Sequence, residues 1–155
     1  MVLWKEIGNY LGRKILFAQG NSLNQIKFPF GMADSTVVLF CGYIFDEAEI
    51  KKIFAGLKAL EPIAVGITGR NTDRNFGLLL EVLSVNPTEN HIMTYVYQES
   101  ENFEWLDSFV KNGWPSEERH DFWKKCLVLF IGDESVGTRL EAYIQKNFSV
   151  ENQSV

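Results

Sequence analysis

Three apolar, β-branched runs constrain this chain most: "STVVLFCGY" (35–43), "PIAVGIT" (62–68) and "KCLVLFIG" (125–132). None alternates apolar with polar, so each reads as a strand covered on both faces. Between them lie stretches with helical spacing. In "FDEAEIKKIFAGLKAL" (45–60), Ile50, Ile53, Phe54, Leu57 and Leu60 form one stripe, while Lys51, Lys52 and Lys58 face water. Asp46 followed by Glu49 has the spacing of a capping box. "NTDRNFGLLLEVLS" (71–84) predicts a second helix with Phe76, Leu79, Leu80 and Leu83 inward, and "HIMTYVYQ" (91–98) a third strand. The next segment supplies a third helix. "DESVGTRLEAYIQKNF" (133–148) closes as a fourth, with Leu140, Tyr143, Ile144 and Phe148 on its core side. Strand and helix in alternation mean parallel pairing through crossovers. The expected architecture is a three-layer α/β sandwich: a mostly parallel sheet of four or five strands, with helices on both faces.

The 155 residues suit one α/β domain. Residues 1–34 form an N-terminal helix and extension, and 149–155 a frayed tail. In "LWKEIGNYLG", Trp4, Ile7 and Leu11 share one side at helical spacing, although Gly8 and Gly12 weaken the helix. "RKILFAQ" (13–19) then reads as a short strand, and 20–35 as a long loop with an edge strand at 24–28 ended by Pro29.

Bulk properties exclude several roles. A pI near 5.1 and the lack of a basic stripe argue against nucleic acid as a direct partner. No apolar run approaches the ~20 residues that span a bilayer. The charged N-terminus lacks a signal-peptide core, which makes the cytoplasm the expected location. Cys41 and Cys126 both sit in apolar runs and read as reduced core thiols rather than nucleophiles or metal ligands.

Doubly wound sheets bind ligands beyond the strand carboxyl ends. The loops there contain neither GxGxxG nor GxxxxGK[ST]. "GITGRNT" permits two readings: a phosphate cradle at a helix N-terminus, or a glycine turn capped by Asn71 or Thr72. "GDES" likewise permits a carboxylate pair, Asp133 with Glu134, sharing a cation with Asp46, or a plain acidic N-cap at Asp133. Arg70, Asp73 and Arg74 read as an anion site or as an ion-paired surface. His91 falls at the amino end of a strand and His120 in a charged connector, so histidine catalysis has little support. The ligand-binding alternative therefore rests on Thr68, Arg70, Asp73, Asp133 and Glu134, with no cofactor implied.

The segment "ESENFEWLDSFVKNGWPSEERHDFW" (99–123) carries seven carboxylates against Lys111 and Arg119, a net charge of −5. That equals the formal charge of the whole chain, and the segment holds three of its four tryptophans. Phe103, Leu106, Phe109 and Val110 supply the inward side of its helix. Glu104, Asp107 and Lys111 share the outer face, where Asp107 and Lys111 are spaced for an i, i+4 pair. A solvated face is the plain reading of that row. Aromatics beside charge are also the composition of binding hot spots. Trp105 and Trp123 neighbour apolar positions and suit the core; Trp114, between Gly113 and Pro115, suits exposure.

Residues 35–148 resemble a family of small bacterial α/β proteins of unknown function. The resemblance is carried by "VVLF", by "IMTYVYQESENFEWLDSFVKNG" and by "CLVLFIG". The chain departs from that pattern at "PIAVGITG", where family members carry a more aromatic, acidic loop. Its size, acidity and lack of motifs are also similar to immunity proteins encoded beside bacterial contact-dependent or polymorphic toxins. The resemblance implies a binding protein without catalysis that neutralises a basic toxin domain. The contact residues would be Glu99, Glu101, Glu104, Asp107, Trp114, Glu117, Glu118 and Asp121. The competing expectation is a nucleotide or small-molecule binding domain, hydrolases among them, working at the strand ends.

Overall fold

A computed structural model describes residues 3–29, 31–85, 91–98, 102–112 and 121–149. Its centre is a six-stranded sheet in the order β1-β2-β6-β3-β4-β5. The strands are β1 (Lys5–Tyr10), β2 (Arg13–Gly20), β3 (Ser35–Cys41), β4 (Ala64–Gly69), β5 (Met93–Val96) and β6 (Lys125–Ile131). Only β1 runs antiparallel to its neighbour; β2, β6, β3, β4 and β5 are mutually parallel. The helices are α1 (Glu47–Leu60), α2 (Thr72–Ser84), α3 (Glu104–Asn112) and α4 (Glu134–Asn147).

The uninterrupted apolar runs are explained by burial on both faces. Val37, Leu39 and Cys41 of β3, with Leu127, Leu129 and Ile131 of β6, pack with Ile50, Phe54 and Leu57 of α1 and Leu78 and Leu79 of α2. Their alternates Val38, Phe40, Val128 and Phe130 pack on the other face with Leu106, Phe109 and Val110 of α3 and Leu140 and Ile144 of α4. Each large side chain so buried contributes about 1.5–3 kcal/mol. Because β6 lies between β2 and β3, α3 returns from the β5 edge across that second face.

The sheet exceeds the expected four or five strands because the N-terminus is a strand, not a helix. Leu11 and Gly12 both have positive φ, 50° and 87°, and turn the chain in a two-residue hairpin. That turn outweighs the helical spacing of Trp4, Ile7 and Leu11; Leu11 itself is 72% exposed. The sheet pairing that follows sets β1 against β2 from Lys5↔Phe17 to Tyr10↔Arg13. Residues 24–28 are not a strand either: Leu23–Gln25 is one 3-10 turn, which buries Leu23 on the α1 side. On α2, Leu78 replaces Leu80 as the inward residue, and Leu80 is 45% exposed. Asp46 occupies the N-cap position of α1 without a side-chain cap hydrogen bond, so the capping-box bonds are not made. Among the described residues, no helix is long and apolar enough to cross a membrane.

Candidate functional site

The carboxyl ends of the parallel strands are where the fold allows a crevice. β2 and β3 leave the sheet toward the α1 side, where Leu23, Met32 and Phe45 are buried; β6 leaves toward α4 on the opposite face. The chain therefore diverges twice, between β2 and β6 and between β6 and β3. The second divergence is closed by backbone. Gly42 N–H donates to the Ile131 carbonyl at 2.7 Å. A Cβ on Gly132 would come 2.9 Å from the Gly42 Cα. Between β3 and β4, Arg70 N–H donates to Cys41 O at 2.7 Å, and Gly69, at φ 97°, lies against that same carbonyl.

A backbone bond spans the first divergence as well, and there a cleft lies over it. A cleft of about 450 Å³ lies between the ends of β2 and β6, lined by Gln19, Gly20, Asn21, Gln25, Gly132, Asp133 and Glu134. Its floor is the bond from Gly132 N–H to Gly20 O at 3.0 Å. Asp133 caps α4, its Oδ1 accepting from Ser135 N–H at 2.9 Å. That bond, with the Arg139 charge as a weaker contribution, holds its carboxyl below the ordinary value. Asp133 O accepts from Val136 and Gly137 N–H at 3.0 and 3.1 Å. A Cβ on Gly137 would come 2.9 Å from Phe130 Cδ1 and collide with the Gln19 side-chain oxygen, so the glycine lets α4 pack closely on the sheet.

Asp133 and Glu134 therefore join β2 rather than Thr68, Arg70 and Asp73. Thr68 is fully buried on the α3 side of β4, and among the described residues its Oγ1 meets no hydrogen-bond partner. Arg70 and Asp73 are exposed at the α2 turn. That turn is built on buried Asn75, whose Nδ2 donates to Arg70 O at 3.2 Å and to Cys41 Sγ at 3.5 Å. Arg74 spends its Nη2 on Phe45 O at 2.6 Å and Asn75 Oδ1 at 3.1 Å. Asn71 holds the N-cap position with φ 56° and no side-chain cap bond. Among the described residues, no group of three His, Cys, Asp or Glu side chains is placed to hold a metal ion. Cys41 and Cys126 are free and buried, and burial pushes their thiols up to about 12 and about 11.

Of the acidic segment, Glu104, Asp107 and Asp121 are described; Glu99, Glu101, Trp114, Glu117 and Glu118 lie outside the described residues. Glu104 is exposed at the start of α3, at the strand carboxyl ends. Asp107 faces α4 and accepts from the Tyr143 hydroxyl at 3.2 Å. Asp121 is exposed just before β6, at the opposite end of the sheet. Beside it Phe122 is 63% exposed, an aromatic that the sequence reading did not single out. Trp105 and Trp123 are core, 4% and 3% exposed. Trp123 Nε1 donates to Thr36 Oγ1 at 3.1 Å, and its indole lies under Arg13. No alternation in the sequence singles out Phe122, since Asp121, Phe122 and Lys124 are all exposed around buried Trp123.

Comparison of the chain with family models, with curated proteins and with solved structures returns no match.

Proposed function

We propose that this domain is a binding protein that neutralises a basic bacterial toxin domain in the manner of an immunity protein. The observation that carries this reading is Phe122, exposed beside Asp121 and immediately ahead of the buried, pinned Trp123. An apolar ring next to a carboxylate, on a stiff base, suits a partner that offers a lysine or arginine beside an apolar pocket. The net charge of −5 would speed encounter with such a partner, and burial of the ring would slow release. Blocking, not catalysis, is the mechanism. Carboxylates occupy sites that the toxin uses for an anionic substrate. The test is affinity for a co-encoded basic toxin domain with Phe122→Ser and with Glu117, Glu118 and Asp121 changed to lysine. Unchanged affinity in both variants would refute the reading.

The cleft between β2 and β6 favours a second reading, a small-molecule site at the strand carboxyl ends. It includes Asp133 and Glu134 and leaves out Thr68, Arg70 and Asp73. Ligand-detected binding to wild type but not to a Glu134 variant is its test.

A further inference from the structure

We propose that the free edge of β5 pairs with β5 of a second copy of this chain, joining two sheets into one. This goes beyond the readings above and does not rest on them. The first argument is the contrast between the two edges of the sheet, β1 and β5. An outer strand offers unpaired N–H and C=O groups to other chains, and proteins blunt it with charge, a bulge or a covering segment. β1 has all three. Lys5 and Glu6 lie on it, its register shifts between Glu6 and Gly8, and Asn9 N–H donates to Phe148 O at the end of α4. Among the described residues β5 has none of them. From His91 to Gln98 the chain carries no Lys, Arg, Asp, Glu or Pro, and Val96 is 43% exposed.

The second argument is the hydrogen-bond pattern. Met93 and Tyr97 N–H donate toward β4, to Ile63 and Ile67 O at 3.1 and 2.9 Å. Alternation along the strand turns the backbone groups of Thr94 and Val96 the other way, to the free edge. In an antiparallel pair, residues that exchange both bonds stand directly opposite each other. A two-fold axis through Tyr95 sets Thr94 of one copy opposite Val96 of the other, and Val96 opposite Thr94. Every outward N–H and C=O of these residues then meets a partner. A pattern that completes itself under a two-fold axis is what an isologous interface requires.

The third argument is packing and charge. Glu81 and Val82 of α2 meet α1 through Lys51 and Lys58. Phe76, Leu80 and Leu83 recur about one turn apart on the flank turned away from α1, on the β5 side, and Leu80 is 45% exposed there. The axis stands perpendicular to the sheet, so α2 of both copies lies on one face and this apolar flank covers the seam. The chain carries −5, which opposes self-association over its surface at large, but the seam is uncharged. Antiparallel pairing also sets the His91 end of each strand against the Gln98 end of the other. Glu104, exposed at the strand carboxyl ends, therefore stays apart from its copy.

Sedimentation velocity at rising concentration, with hydrogen exchange of single amides, tests this. The inference expects the mass to rise from 17.8 kDa toward twice that value. The amides of Thr94 and Val96, fast in dilute protein, should slow in step with it, while those of Met93 and Tyr97 stay protected at every concentration. Val96→Lys puts charge in the seam from an exposed position and should weaken association at least about tenfold. Thr94→Pro removes an outward donor without touching the ladder to β4 and should do the same. An otherwise unchanged amide spectrum reports the fold of each variant. A single-chain mass up to about 1 mM would overturn the inference. So would a doubled mass that leaves both amides fast or ignores both variants, since another face would then carry the contact. Slowing of the two amides only when a basic toxin domain is added would overturn it in favour of a foreign strand.

Discussion

The guanidinium of Arg13 lies 3.8 Å from the centroid of the Trp123 ring, and the same side chain donates to the Val110 carbonyl at 3.3 Å. Val110 belongs to the end of α3, and Trp123 precedes β6. One residue at the start of β2 therefore ties together the two points between which the chain passes from helix to strand. Trp123 in turn donates to Thr36 on β3, so the tie reaches the centre of the sheet.

Replacing Arg13 tests that tie. Arg13→Ala should lower unfolding stability by about 2 kcal/mol, from the lost stacking and the lost bond to Val110. Arg13→Lys should recover less than half, since a lysine keeps the charge without the planar face. Urea titrations followed by tryptophan emission provide the measurement.

Glycines divide into two kinds. At Gly69, φ is 97° and an added Cβ would collide with the Cys41 carbonyl. Gly69→Ala should cost about 3–5 kcal/mol or prevent folding. Gly56 and Gly77 lie within α1 and α2 with nothing within 4 Å of an added Cβ. Alanine at either should stabilise by about 0.5–1 kcal/mol. Thermal melts of the three variants decide this.

Asp133 sets an acid dependence. Its folded-state value lies below the ordinary 3.8, so its charged cap stabilises the fold above that ordinary value. The contribution is lost as pH falls through the lower folded-state value. Asp133→Asn keeps a capping oxygen but does not titrate. Wild type should therefore lose more stability than the variant between about pH 4 and pH 2, measured as denaturation midpoints.

The thiols set an alkaline one. Burial raises Cys41 from 9.0 to about 12 and Cys126 to about 11. Both stabilise as neutral groups below 9.0, and that stabilisation is lost as pH rises toward the folded-state values. Native protein at pH 8 should resist thiol reagents that label both cysteines in denaturant, and Cys41→Ala with Cys126→Ala should flatten the loss of stability above about pH 9.

The core strands were legible because burial on both faces leaves an unbroken apolar run, which short-range reading detects. The Asp133 cap was legible because its bond spans two residues. The N-terminal strand was not: Leu11 and Gly12 reverse the chain by backbone geometry, and the apolar spacing around them imitates a helix. Gln19, Asn21 and Gln25 escaped notice because the pairing of β2 with β6, more than a hundred residues apart, is what makes them cleft residues. Phe122 was hidden by its neighbour Trp123, whose burial only tertiary packing decides.

The most direct test of the binding reading is the dissociation constant between this protein and a co-encoded basic toxin domain, for wild type and for Phe122→Ser. The account predicts about 30-fold weaker binding in the variant, the scale of losing a buried aromatic anchor, with its fold unchanged. Equal affinity for both proteins would contradict it.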